Sequence, residues 1–413
     1  MRFLAVLVLA GCGGSASRAP AHIDRSSPDK PAAAASSTAH AETPAAPSHY
    51  PEPPAGPSPT GTWRVTLEFP RFEGKPAGIA ADATGVYLTG AVLSADDVRM
   101  RRWANVKLDP SGATKWSNVT ELSRSPAPER IVVAEEAVIV GGQDDTHEES
   151  RLLLLERRDA GSGKRLWQRR FTARDPKCTK PDCAGKDVFG GISVHGGSVL
   201  YAATVDRPLE EAFGDLSLAK GEPGKPNQTW SDLRGRDVAR DDTGMYLLQQ
   251  TLSNAFTLVK LADGKQAWKQ NLHSGAMRVV VGADGLVLWG KTIEKRAADT
   301  GELAWTSNLA GDHIDVAVDA TGIYATVMID AKPAPYFAVA KLDAGTGAVQ
   351  WVRHTSEYSQ NRPSAYIAVD KDAIYLFGYD AEKWFVERRR KSDGALGDVT
   401  ATARTIEAPV TRK

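Results

Sequence analysis

From residue 61 onward, short runs of apolar and β-branched residues recur, each introduced by a turn. Seven begin directly after such a turn: Gly85-Val-Tyr-Leu88, Ala137-Val-Ile-Val140, Ser198-Val-Leu-Tyr201, Gly244-Met-Tyr-Leu247, Gly285-Leu-Val-Leu288, Gly322-Ile-Tyr-Ala325 and Ala373-Ile-Tyr-Leu376. Side chains of this kind suit a pleated, half-buried strand. No window places apolar residues at i, i+3, i+4 and i+7 with caps over two or more turns, so helices are not expected. Four of the runs follow Asp-x-Thr-Gly or Asp-Gly, anchored on Asp82, Asp242, Asp284 and Asp319. In such turns Asp accepts from backbone N–H groups and Gly takes the positive φ. Separations of 37 to 61 residues between runs fit supersecondary units of about 50 residues.

A second pattern counts the same units. Gly112 and Trp116, Gly163 and Trp167, Gly264 and Trp268, Gly301 and Trp305, and Gly347 and Trp351 each stand in Gly-x-x-x-Trp, with an Asp shortly before the Gly. This is hairpin chemistry, one strand running into the turn and a Trp-bearing strand running out. Trp230 holds the same phase after a looser turn, while the last unit reaches Asp393-Gly394 and has Asp398 where Trp is expected. Trp63, in the strand-like segment 60–69, supplies the missing one. A strand donated from the start of the domain to its last unit closes a ring and removes open edges. The predicted fold is therefore an all-β propeller of seven four-stranded blades, or eight if Asp393-Gly394 closes a hairpin of its own. The Trp series reads as packing between neighbouring blades and not as ligand stacking.

The chain begins differently. Met1-Arg2 precedes an apolar stretch, Phe3 to Ala10, far shorter than the roughly 20 residues of a membrane-spanning helix. The residues Leu9-Ala10-Gly11-Cys12 resemble the lipobox of bacterial lipoproteins, which implies an export signal over 1–12, lipid attachment at Cys12 and a membrane anchor. Gly at position 13, not Asp, leans toward outer-membrane sorting. Residues 13–60 are rich in Ala, Pro and Ser and lack the large apolar residues needed to offset ordering entropy, so they read as a tether. The propeller is expected over 61–405, with a tail at 406–413.

Charge narrows the function classes. The 413 residues carry 51 Lys+Arg and 51 Asp+Glu, a balance that argues against nucleic acid as partner. With 42% hydrophobic and 25% charged residues, the composition is that of a globular domain and not of a polytopic membrane protein. Cys178 and Cys183, with four residues between them in a Pro-containing loop, most simply form a local disulfide once exported.

The Asp-x-x-x-Gly-x-x-x-Trp turns, with Ala267-Trp268 and Ala304-Trp305, resemble the repeats of PQQ-like (quinoprotein-type) β-propellers over residues 61–405. That scaffold carries dehydrogenases, assembly factors and other proteins, so the resemblance implies fold more than activity. The dehydrogenases of the family carry an adjacent Cys-Cys disulfide over the quinone, whereas Cys178 and Cys183 are separated. No cofactor is expected. His147, His195, His273, His313 and His354 stand apart, without a nucleophile elbow, a His-Glu-x-x-His pair or a phosphate loop. The cluster Asp144-Asp-Thr-His-Glu-Glu149 lacks EF-hand spacing and reads as a solvated acidic loop, not a metal site.

Loop lengths favour binding. First-to-second and third-to-fourth strand turns, gathered on one face, are tight, whereas the other face collects longer connections. Its candidate contact residues are Asp96, Asp97, Arg99, Arg101, Arg102, Asp144, Asp145, Glu148, Glu210, Glu211 and Tyr358. The expectation is a monomeric, non-catalytic, lipid-anchored propeller that holds an envelope protein, resembling the propeller lipoprotein subunit of the outer-membrane barrel-assembly machinery. Its alternative is a surface or periplasmic propeller binding a glycan or small molecule.

Overall fold

The computed structural model describes residues 61–411 apart from 70–71, 95–100, 122–126, 135, 148–149, 172–186, 206–209, 218–226, 232–233, 252–254, 274, 330–335, 358–364, 381–382, 398–401 and 407–409. Cys12, the tether, Cys178, Cys183, Asp96, Asp97, Arg99, Glu148 and Tyr358 lie outside the described residues. Within them, 30 strands form seven sheets. The first strands of the seven, beginning at Phe72, Ala127, Asp187, Arg234, Arg278, Asp312 and Tyr366, touch in succession, and the last touches the first. The result is a closed β-propeller of seven blades, numbered here from the sheet that begins at Phe72.

Period-2 alternation explains the packing. Val86 and Leu88 face blade 7, while Tyr87 between them faces blade 2; Leu286 and Leu288 face blade 4, while Val287 faces blade 6. Both faces of every sheet are thus apolar. Seven buried clusters result, one at each junction between neighbouring blades.

Ring closure follows the expected exchange. Strand Trp63–Glu68 is the fourth strand of blade 7, antiparallel to Lys383–Arg390 with Val65 opposite Val386. The C-terminal segment then adds twice more. Thr402–Thr405 pairs parallel with Trp63–Glu68, and Val410–Thr411 pairs parallel with the outermost strand of blade 1. Residues beyond 405, expected as a tail, therefore contribute to the propeller. An outermost strand presents unpaired N–H and C=O groups that any passing extended backbone can satisfy, whatever its side chains.

The Trp series docks between blades. Trp63 lies over Gly112, Trp116 over Gly163, Trp268 over Gly301, Trp305 over Gly347 and Trp351 over Gly394, each glycine belonging to the following blade. A Cβ at Gly163 would stand 2.5 Å from the Trp116 ring, and its φ of 70° is one that L side chains rarely adopt. Glycine therefore serves both the turn and the ring above it. Trp116 Nε1 donates to Ala160 O at 3.1 Å, and Lys107 Nζ donates to the same carbonyl at 3.0 Å. Trp305 and Lys295 repeat this on Ala344 O. Trp167 is buried in the cluster between blades 2 and 3, and Trp230 lies in strand Asn227–Ser231 of blade 3.

The tight turns carry a repeating polar network. Asp82 Oδ1 accepts from Thr84 N and Thr84 Oγ1, both at 2.7 Å, and Asp82 Oδ2 accepts from Tyr87 Oη at 3.0 Å. Blade 4 repeats this with Asp241, Thr243 and Tyr246. The acceptor there is Asp241, not Asp242, because Asp-x-Thr-Gly counts back one residue further. Asp242 points outward and meets His195 Nε2 at 2.9 Å. Asp284, expected to cap its own turn, accepts instead from Lys295 at 2.6 Å.

Candidate binding surface at the mouth of the central channel

Opposite the tight turns, the innermost strands begin, and five of the seven start with a β-bulge. Register shifts fall at Pro76/Gly78, Pro128/Arg130, Phe189/Gly191, Gly235/Asp237 and His313/Asp315. A bulge inserts one residue and re-aims its neighbours. The residues that follow the bulge include Arg130 in blade 2, Asp237 in blade 4 and Asp315 in blade 6.

Asp237 Oδ2 accepts from Val279 N at 2.9 Å, and Asp315 Oδ2 accepts from Ile367 N at 3.1 Å. Each carboxylate thereby ties its blade to the innermost strand of the next. Gly191 makes room for the first: a Cβ there would stand 1.7 Å from Asp237 Oδ1. Burial pushes the Asp237 carboxyl up to about 7, against the Arg130 charge and backbone hydrogen bonds, which pull it down. Burial likewise raises Asp315 to about 6, with Arg130 again opposing. One arginine on blade 2 acts on carboxylates of blades 4 and 6, so the three groups converge toward the axis of the ring.

Above them lies a cavity of about 220 Å³, lined by Glu129, Val188, Phe189, Gly190, Thr204, Gly235, Arg236, Met277 and Arg278. These come from blades 2 to 5, so the cavity spans half the channel mouth. Glu129, Gly190 and Arg236 are the inserted residues of three bulges. Arg236 Nε donates to Gln250 Oε1 at 2.6 Å, Arg278 Nη1 to Gly190 O at 2.5 Å, and Gln143 Nε2 to Glu129 Oε1 at 2.5 Å. Among the described residues, no group of three or more His, Cys, Asp or Glu is placed to hold a metal ion.

The residues singled out from sequence fall nearby but on strands. Arg101 and Arg102 open strand Arg101–Leu108 of blade 1; Glu210 and Glu211 open strand Glu210–Ser217 of blade 3, opposite Val205 and Thr204. Asp144 and Asp145 lie inside strand Ala137–His147. The solvated loop expected at Asp144 is therefore corrected: its side chain is fully buried and ion-paired with Arg170. Ladder hydrogen bonds carry these hairpins past their apolar runs, shortening the loops. The sequence reading missed Glu129, Arg130, Arg236, Asp237, Met277, Arg278 and Asp315. One signal was available: Asp237-Val-Ala-Arg-Asp241 and Asp315-Val-Ala-Val-Asp319 repeat an Asp four residues before the turn Asp.

Residues 244–395 match a family model described as outer membrane protein assembly factor BamB. The second half of the ring is built of PQQ-like repeats. Blades 1 and 2, outside the matched segment, use the same docking of Trp on the following blade's glycine or core. No curated protein matches the chain. Among solved structures, a chain of the mitotic checkpoint complex is 13% identical over 81% of this chain and 97% of its own, with a TM-score of 0.52. That likeness concerns fold alone. BamB from Moraxella catarrhalis is 15% identical over 79% of this chain and 98% of its own, with a TM-score of 0.41. The computationally designed Ika8 protein is 9% identical over 78% and 98%, with a TM-score of 0.46.

Proposed function

We propose that this protein is a lipid-anchored, non-catalytic propeller that binds and positions protein partners in the bacterial envelope, at the outer membrane. The observation that carries the reading is the match of residues 244–395 to a family of outer-membrane assembly factors. The lipobox-like Leu9-Ala10-Gly11-Cys12 and the following Ala/Pro-rich segment agree with it, since they would anchor and tether such a module. The division of labour in the ring supports it too. One face is consumed by turn networks, while the other offers a charged cavity among variable connections.

The test begins with Cys12→Ser, which should abolish incorporation of labelled palmitate; continued labelling would remove the anchor. Cys178 and Cys183 should resist alkylation until reduced. Capture from detergent-solubilised membranes with the lipidated protein should recover barrel-assembly or other envelope proteins, and recovery should fall when segments 172–186 and 206–209 are shortened. Recovery of no protein partner would move the reading to a glycan or small-molecule ligand.

A further inference from the structure

In blades 1 and 5 the third strand carries a lysine opposite the Trp of the fourth, and both donate to one oxygen of the following blade. Lys107 Nζ and Trp116 Nε1 meet Ala160 O at 3.0 and 3.1 Å, and Lys295 Nζ and Trp305 Nε1 meet Ala344 O at 2.8 and 3.2 Å. Blade 2 keeps the pair, as Arg157 opposite Trp167, but not the oxygen. Arg157 Nε, Arg157 Nη1 and Trp167 Nε1 are buried without a hydrogen-bond partner among the described residues. Arg157 is 5% exposed, and no ion pair among the described residues includes it. Trp268 and Trp351 also leave their indole nitrogens without an acceptor, so the indole alone is not the signal. The charge is: Lys260 of blade 4 reaches Ala298 O, and Lys341 of blade 6 is only half-buried.

The local sequence explains the loss. By ladder register, the positions of Asp82, Thr84 and Tyr87, which surround Lys107, fall in blade 2 on Ala134, Glu136 and Ile139. Alternation turns Leu155, Arg157, Trp167 and Arg169 toward blade 3, where Ile139, Leu155 and Trp167 pack with Val199. Arg169 stands opposite Leu155, diagonal to Arg157 and close enough to share a guest with it. Its Nε is likewise buried without a partner among the described residues. A guanidinium keeps its charge, and burying that charge unpaired among apolar side chains is costly. Blades 1 and 5 indicate that an oxygen belongs at this position, and the guanidinium charge requires that oxygen to be anionic.

We infer that the junction between blades 2 and 3 holds a small oxyanion, a carboxylate or phosphate group, on Arg157, Arg169 and the Trp167 indole. The site lies on the turn side of the ring and does not depend on the partner-binding reading. The test melts the full chain, dialysed into chloride, after addition of acetate or inorganic phosphate at equal pH and ionic strength. Phosphate stabilises proteins generally by exclusion from their surfaces, so the readout is the difference between the parent and Arg157→Met, which keeps the packing of the aliphatic stem. One of the anions should raise the parent's melting temperature by several degrees, saturably, and the stronger of the two names the group that the site takes. Arg157→Met should lose that rise and, with no buried charge left, should melt no lower than the parent in chloride. Lys265→Gln, at an exposed position on the outer strand of blade 4, should leave the rise intact.

No rise, or an equal rise in the parent and Arg157→Met, would overturn the site. Arg157→Met melting well below the parent in chloride would show that the protein already partners this guanidinium, and would overturn it as well. A response that emerges only in Glu222→Gln would give the position to the chain's own carboxylate and overturn the free anion.

Discussion

The two faces of the ring use the same residue types to opposite ends. On the turn face, Asp82, Thr84, Tyr87 and Lys107 satisfy one another within a blade, and Lys107 and Trp116 reach one carbonyl of the next. Each of these groups has a local purpose, and the pattern recurs in blade 4 through Asp241, Thr243, Tyr246 and Lys260. At the channel mouth, only the interblade ties Asp237 and Asp315 hold matching positions; the arginines come from different blades without a repeat. Arginines 130, 236 and 278 and carboxylates 237 and 315 share a space that no single blade defines. The contrast teaches that repetition marks what holds the propeller together, and departure from repetition marks where it can recognise something.

The comparison breaks most visibly on the structural side. Arg296, buried against Glu294 at 2.8 Å, also donates to the turn carbonyl of Gly301 at 3.0 Å. Arg296→Ala leaves a buried carboxylate unpaired and should cost about 3–5 kcal/mol in chemical denaturation. A loss below about 1 kcal/mol would show the pair to be solvated and dispensable. Next in size is Gly347→Ala. Its Cβ would stand 2.5 Å from the Trp305 ring, at a φ of 72°, so a loss of roughly 1–3 kcal/mol is expected. Melting unchanged from the parent protein would contradict Trp docking.

A smaller effect sharpens the mouth. An ordinary Asp carboxyl titrates near 3.8, but Asp237 in the fold does so at about 7. Between these values the folded chain keeps a proton that the unfolded chain has released, so this residue's contribution to stability is greatest in acid. It declines as pH rises from about 4 to about 7 and is level above. Asp315 adds the same trend up to about 6. Asp237→Asn should flatten that part of the stability profile, measured by denaturation across pH; an unchanged slope would place the proton elsewhere. Smallest of all, Arg278→Gln should move stability by no more than about 0.5 kcal/mol, since its protein partner is a carbonyl.

Much of the ring could be read from the chain because its determinants are local. Asp-x-Thr-Gly, the Trp after each turn and the alternation around Tyr87 or Tyr246 each fit within a dozen residues, and Trp63 was the missing member because the last unit had none. What went unread depends on ring closure. Asp237 and Arg130 meet only when blades 2 and 4 face a common axis, and bulges, which carry no residue signature of their own, decide which side chains line the cavity. Asp144 was misplaced for a related reason: a hairpin extended by backbone pairing buries a carboxylate beside Arg170, and polarity alone suggests a loop.

The most direct test of the claim that recognition lies at the channel mouth is photo-crosslinking in cells, with p-benzoylphenylalanine replacing Met277 at the mouth or Asp299 on the turn face. The account predicts discrete protein adducts from position 277 and none from position 299. Adducts from 299 with none from 277 would contradict it.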